Sequence, residues 1–281
     1  MKAVFSFWSK PSKGSLHKRF AGFPDKGYFD TAFRLALLTA KKNFTSTQLV
    51  TDTEGYKMLV LDMGLAFDEV SLALDDIADM PANLWMFGKL KAYSIQTGPF
   101  VHLDFDMFLL KPVPSWFKCA EIVVQSVEPF RGFEFYRWGV DWVRSTHRKL
   151  PFEFDAFKNV PFEEQLAHNV GMIGGQNWQA ITDYATKAIR LINDNISLIK
   201  QLPDYRVSEV NVIYEQYFLS AYARYHNIEV KNYVENILDE AEMLEKGYVH
   251  LLGDNKSNRQ TCEQMAITYA KMRDGTREFA Y

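Results

Sequence analysis

Along the chain, short apolar runs alternate with longer stretches in which apolar residues recur at helical spacing. That alternation predicts a mostly parallel sheet with helices on its faces. Residues 3–8 and 47–51 read as buried strands, and residues 66–70 as a shorter one. Residues 30–42 open with an Asp in a cap position and continue as a helix. Residues 54–63 and 86–96 also read as helices, the second closed by Gly98-Pro99. Residues 100–110 read as one continuous strand ended by Lys111-Pro112, and residues 122–126 as another. Further helices are expected at 178–199, 208–225 and 261–272, with a strand at 228–230. Residues 128–162 are irregular and aromatic, longer than a plain connection needs to be. No repeat, low-complexity tract or linker interrupts the pattern. The expectation is one α/β domain over residues 1–281, Rossmann-like, with an aromatic insertion at about 128–162.

Composition narrows the function classes. A chain of 281 residues, 47% hydrophobic and 24% charged, buries enough surface to fold without disulfides or structural metals. Its net charge of −3 and scattered Lys and Arg give no footprint for nucleic acid. Cys119 and Cys262 match no metal-ligand spacing and read as buried free thiols in a reducing compartment. The apolar run at the N-terminus is too short for a signal-peptide core, and no run of 18 apolar residues suggests a transmembrane segment. A soluble, cytoplasmic protein is expected. The aromatic content of 15% fits either a packed core or stacking on sugars and bases.

Asp104 and Asp106 carry the first sign of chemistry, because they interrupt a run of buried strand character. With a side-chain period of two they share one face with His102. Two like charges buried side by side are costly without a compensating cation. Oxygen ligands at this spacing suit Mg²⁺ or Mn²⁺, and such ions suit a diphosphate. The end of a strand in an open α/β sheet is where ligands of this kind bind.

The segment KLKAYSIQTGPFVHLDFDMFLLKP, residues 89–112, resembles the core of GT-A-fold glycosyltransferases. It is most similar to the retaining families that include glycogenin, bacterial lipopolysaccharide galactosyltransferases and capsular-sugar transferases. Three further segments follow in that family's order: a turn at Asn169-Val170-Gly171, the pair Glu215-Gln216 at the start of a helix, and His250, Gly253 and Lys256 in HLLGDNK. The resemblance implies a metal held by Asp104, Asp106 and His250. Lys89, Asp104, Gly253 and Lys256 would contact the donor, a nucleoside-diphosphate sugar with UDP favoured. Asp52 and the end of the first strand, residues 7–10, would lie near its nucleoside. Asn169, Glu215 and Gln216 would stand close to the reacting sugar, with configuration retained. The acceptor could be a carbohydrate, lipid or protein.

This chain departs from the family where Ser257-Asn258 replaces the usual Pro-Trp and where Glu215 replaces the commoner Asp. Tyr136, Trp138 and Trp142 read either as an acceptor platform or as a packed aromatic cluster. Two other readings compete. A metal-dependent nucleotidyltransferase would carry a Gly-rich basic loop after the first strand, which residues 8–14 match only in part. A non-catalytic carbohydrate-binding or scaffold protein of the same fold is the other.

Overall fold

The structure, a computed structural model, describes residues 1–13, 20–131, 134–236 and 239–275. Seven strands form the main sheet, in the order β3 (Glu69–Ser71), β2 (Thr47–Thr51), β1 (Lys2–Phe7), β4 (Phe100–Leu103), β7 (Leu166–Gly175), β6 (Ile122–Pro129) and β8 (Val230–Asn232). Its neighbours pair in parallel except at β4–β7 and β6–β7, so β7 alone runs against the rest. A two-stranded antiparallel ladder joins β5 (Met107–Leu109) to β9 (Tyr248–His250). This is the expected α/β fold with a mostly parallel sheet flanked by helices.

Helix α1 (Lys26–Asn43) starts four residues before the expected cap, because Asp25 caps it by accepting from Tyr28 N. Helix α2 (Thr53–Tyr56) continues into a π-turn at Lys57–Asp62, and α3 (Phe87–Ser94) leads into β4. Helix α4 (Glu134–Thr146) follows β6, where the sequence suggested irregular chain. Its buried face, Tyr136, Gly139, Val140 and Val143, has helical spacing, but the aromatic residues at 135, 138 and 142 fall outside it and blur the pattern. Helix α5 (Trp178–Ile199) matches its expected span. The helix expected at 208–225 is three pieces instead: α6 (Asp204–Val212), a π-turn at Ile213–Tyr217, and α7 (Phe218–Tyr225). Helices α8 (Glu240–Lys246) and α9 (Arg259–Arg273) complete the fold.

Both faces of the sheet are buried along its central strands, and β1, β2, β4, β6 and β7 divide their side chains between two cores with period two. Val4, Val50, Phe100, Val124 and Ile173 join one core with residues from α3 to α7. Phe5, Leu49, Val101, Val123 and Met172 join the other, with α1, α9 and the β5–β9 ladder. The chain winds outward from β1 to β2 and β3, then returns through α3 to β4 on the other side of β1. That reversal opens a crevice beyond the carboxyl ends of β1 and β4, the ligand-binding edge of open α/β sheets.

Among the described residues, no helix is long and apolar enough to cross a membrane. Both cysteines are free; Cys262 is buried as expected, but Cys119 is exposed at the end of a 3-10 turn.

Candidate functional site

The stretch expected to be one strand from 100 to 110 is broken at the place that matters most. Strand β4 ends at Leu103, and Asp104-Phe105-Asp106 forms a turn closed by Met107 N donating to Asp104 O at 3.2 Å. The period-two account of Asp104 and Asp106 is therefore corrected: a turn, not a shared strand face, presents them together. Phe105 causes the break. Its ring is buried, stacked 3.9 Å from Phe33 of α1 and 4.7 Å from Phe5 of β1, so the flanking carboxylates turn away from that core. Backbone bonds fix the turn from both sides, Asp104 N to Gly171 O and Leu251 N to Asp106 O, each 2.9 Å.

The second bond links the turn to β9, whose His250 pairs in register with Met107. As a result, ligand atoms of Asp104, Asp106 and His250 lie within 4.8 Å of one another. In an octahedral shell with bonds of about 2.1 Å, neighbouring ligand atoms stand about 3 Å apart and opposite ones about 4.2 Å. The three groups are thus close to a set that one divalent cation could join. His250 is oriented for it: Nδ1–H donates to Gln125 Oε1 at 2.6 Å, which leaves the Nε2 lone pair facing Asp106 at 3.3 Å. Gly171 gives the pair room, since a Cβ there would collide with both Gln125 Oε1 and His250 Cε1. The oxygen, oxygen, nitrogen donor set suits Mn²⁺ better than the harder Mg²⁺.

Two lysines complete the charge pattern. Lys89 of α3 reaches Asp104 and Glu215, 3.1 Å from each, and Lys256 pairs with Asp106. Burial disfavours the charge on Lys89, but Asp104 and Glu215 outweigh it and hold the ammonium above its usual range. Burial also pushes Asp104 up, opposed by Lys89 and reinforced by Asp106. At Asp106, burial is outweighed by Lys256 and His250, which hold that carboxyl well below the usual range. Glu215 is 0% exposed; burial, partly offset by Lys89 and reinforced by Asp104, lifts it to about 7. Three carboxyls (Asp104, Asp106, Glu215) thus face two ammonium groups (Lys89, Lys256). The balance is negative wherever Glu215 ionises, which favours a bound cation.

The structure brings most of the expected residues together, though in altered settings. Asn169 and Gly171 lie inside the long strand β7 rather than in a turn. Glu215 and Gln216 sit in the π-turn, mid-helix rather than at a helix start. This widened turn aims Glu215 at Lys89 and Tyr93, whose hydroxyl donates to Oε1 over 3.5 Å. Tyr184 donates to the Glu215 carbonyl, and Glu215 Oε2 is buried with no hydrogen-bond partner. Asn169 and Gln216 are 7% and 9% exposed. His102 lies behind Asp104, its Nδ1 3.9 Å from that carboxylate and its Nε2 2.9 Å from Ser6 Oγ. Burial and then Lys89 hold its pKa well below the usual range, so it stays neutral.

Lys256 follows Gly253 in a short 3-10 turn, which the Cys262 thiol anchors by donating to Lys256 O at 3.2 Å. Asp52 has a structural duty: it caps α2 through Gly55 N and binds Ser9 through both N and Oγ. Lys10, near the expected nucleoside position, donates to the carbonyls of Ala78 and Met80. Of the partial phosphate-loop match at 8–14, residue 14 lies outside the described residues.

Sequence reading missed two site residues. Gln125 is buried in β6 and sets the His250 tautomer; a Gln inside the apolar run IVVQS was its available signal. Glu128, at the outer end of β6, accepts from Asn169 Nδ2 and from Tyr136 OH, each at 2.6 Å. Tyr136 also lies 2.7 Å from Gln216 Oε1. A single network therefore ties together four polar residues, Asn169, Glu128, Tyr136 and Gln216, and no local sequence pattern marks it.

The chain matches DUF6734, a family of unknown function, over residues 1–273, and it belongs to that family. No curated protein matches it in sequence.

Proposed function

We propose that the chain is a metal-dependent glycosyltransferase that moves a sugar from a nucleoside-diphosphate donor, with UDP favoured, to an acceptor with retention of configuration. The observation that carries this reading is the convergence of Asp104, Asp106 and His250 within 4.8 Å, with Lys89 and Lys256 on the two carboxylates. Asp104, Asp106 and His250 would hold Mn²⁺ or Mg²⁺, which when bound supplies Lewis-acid neutralisation of a diphosphate leaving group.

The residues of the chain act around that centre. Lys256 brings a fixed positive charge to the leaving oxygens. Lys89, kept charged by Asp104 and Glu215, adds a second beside the turn. Glu215 is sealed from solvent, so it works as a positioning residue that holds the Lys89 ammonium. Gln216, Glu128 and Asn169 form the hydrogen-bonded wall that would face sugar hydroxyls. A cytoplasmic setting goes with this reading, since a reducing compartment keeps Cys119 and Cys262 as free thiols.

The test is turnover of a panel of UDP- and GDP-sugars with Mn²⁺, read as release of the nucleoside diphosphate. Metal-dependent release from one donor, abolished in His250→Ala, is expected. Release that ignores both metal and His250 would remove the proposed centre, and incorporation of a nucleoside monophosphate into a sugar phosphate would favour the nucleotidyltransferase instead.

A further inference from the structure

Helix α4 has two working faces. Inward, Tyr136 joins Glu128 and Gln216 at the candidate site. Gly139 allows the close approach, because a Cβ there would stand 2.5 Å from Ile213 Cγ1 in the π-turn that carries Glu215. Outward, Trp138 and Trp142 are one helical turn apart, so they share a face. Their rings lie 6.1 Å apart and nearly parallel, at 17°. Both are half-buried and line an open groove of about 510 Å³ with Glu134, Arg137, Asp141 and Ser145. That volume is in the range of small-ligand clefts, about 300–1,000 Å³.

The groove is linked to the mouth of the site by a chain of aromatic and polar side chains, of which Tyr205 and Trp85 are exposed. The Arg206 guanidinium lies 4.1 Å from the Trp138 ring and 5.1 Å from that of Tyr205, which is 64% exposed. Beside Tyr205, Asp204 accepts from Asn83 Nδ2 at 2.9 Å, and Asn211 Nδ2 donates to Asn83 O at 2.8 Å. These bonds fasten the loop that presents Trp85, 40% exposed, with its ring 5.9 Å from Lys89 Nζ. Lys89 in turn touches Asp104.

We infer that this α4–α6 surface, from Trp85 through Tyr205 to Trp138 and Trp142, binds a neutral saccharide chain and carries the acceptor. The inference rests on the glycosyltransferase reading for the word acceptor, not for the binding itself. Indole and phenol rings offer flat apolar surface to the C–H faces of sugar rings, while their polar edges stay wet. The carboxylates of Glu134 and Asp141 accept hydrogen bonds from hydroxyl groups. Arg137 is already engaged, by Glu163 at 3.0 Å and Glu134 at 3.5 Å, and lies over the Phe162 ring at 3.8 Å. Arg137 is balanced by Glu134 and Glu163 and Arg206 by Glu209, and Asp141 adds a further carboxylate. The groove thus carries no excess positive charge for phosphates, which disfavours nucleic acid and acidic lipid and suits an uncharged polyol.

The experiment incubates the labelled full chain on an array of neutral glycans, then titrates the retained glycans by tryptophan fluorescence. The paired variants are Trp138→Ala with Trp142→Ala, Trp85→Ala alone, and the milder Trp142→Phe and Asp141→Asn. Circular dichroism and Mn²⁺–UDP titration run alongside. Expected is retention of a family of related neutral glycans, weakened at least tenfold by the double variant and less by Trp142→Phe and Asp141→Asn, in folded protein. Unchanged Mn²⁺–UDP binding in those variants would assign the loss to the groove. Glycan binding by a chain that takes up no nucleotide would leave the groove standing while the transferase reading fell. No glycan retained above an unrelated control protein, or equal retention by the folded double variant, overturns the proposal.

Discussion

Asp104 and Asp106 stand two residues apart with the same side-chain chemistry, yet the protein gives them opposite electrostatic surroundings. Asp104 faces the inner half of the site, where Lys89, Tyr93 and Glu215 come from helices packed into the core. There burial dominates and raises the carboxyl. Asp106 faces the outer half, where His250 and Lys256 come from a three-residue strand and a 3-10 turn near the C-terminus. There burial is outweighed by the Lys256 ammonium and by His250, which lower it. The inner half is held by packing and keeps its charges in place. The outer half is held by a few directed bonds, so ligands could exchange there without disturbing the core. A metal centre between the two would have one rigid wall and one adjustable wall.

The largest effect that should bear on this comparison comes from the residue joining the halves. Phe105→Ala should cost about 3–5 kcal/mol of stability, from the loss of a buried ring stacked on Phe5 and Phe33. Denaturant unfolding measures it. A cost near zero would mean that the turn between the halves is not anchored by that ring.

Next comes the inner half. The Glu215 carboxyl is lifted from its ordinary 4.5 to about 7. A raised acid contributes stability that is complete below the unfolded pKa and lost as pH rises through the folded one. Wild type should therefore lose stability from this group between about pH 4.5 and 7, by up to on the order of 3 kcal/mol. In metal-free buffer, Glu215→Gln should remove that slope, so its Tm relative to wild type rises across the window. Parallel profiles for the two proteins would show that Glu215 titrates normally and that burial does not govern the inner half.

The outer half should respond more gently and through the metal. Gln125→Ala removes the acceptor that fixes the His250 ring, and should weaken Mn²⁺ binding about 10–100-fold with little change in fold. Gly171→Ala forces a methyl group onto the same Gln125–His250 pair and should act in the same direction. Calorimetry with Mn²⁺ alone reads both. Unaltered affinity in Gln125→Ala would mean that His250 needs no orienting partner.

Much of the fold was legible because buried strands and amphipathic helices leave long periodic marks, as at residues 47–51 and 178–199. The errors cluster where tertiary contacts override local pattern. Residues 100–110 are apolar enough for one strand, and only the docking of Phe105 between β1 and α1 breaks it. The π-turn at Ile213–Tyr217 has the sequence of ordinary helix. Helix α4 was hidden because its aromatic residues serve two faces. In the site, Asp104 and Asp106 stood out because carboxylates are costly in an apolar run, whereas Lys89, Glu215, His250 and Lys256 were expected only from the family resemblance of their segments. Glu128 was marked by neither, since its meaning comes from Asn169 and Tyr136, which only the folded chain brings near.

The central claim, that this cluster holds a divalent cation for a nucleoside diphosphate, is tested most directly by calorimetric titration of UDP and GDP with and without Mn²⁺, in wild type and Asp106→Ala. The account predicts binding of one nucleotide that requires the metal and drops at least a hundredfold in the variant. Folded wild-type protein that binds neither nucleotide in the presence of Mn²⁺, or a variant that binds as well as wild type, would contradict it.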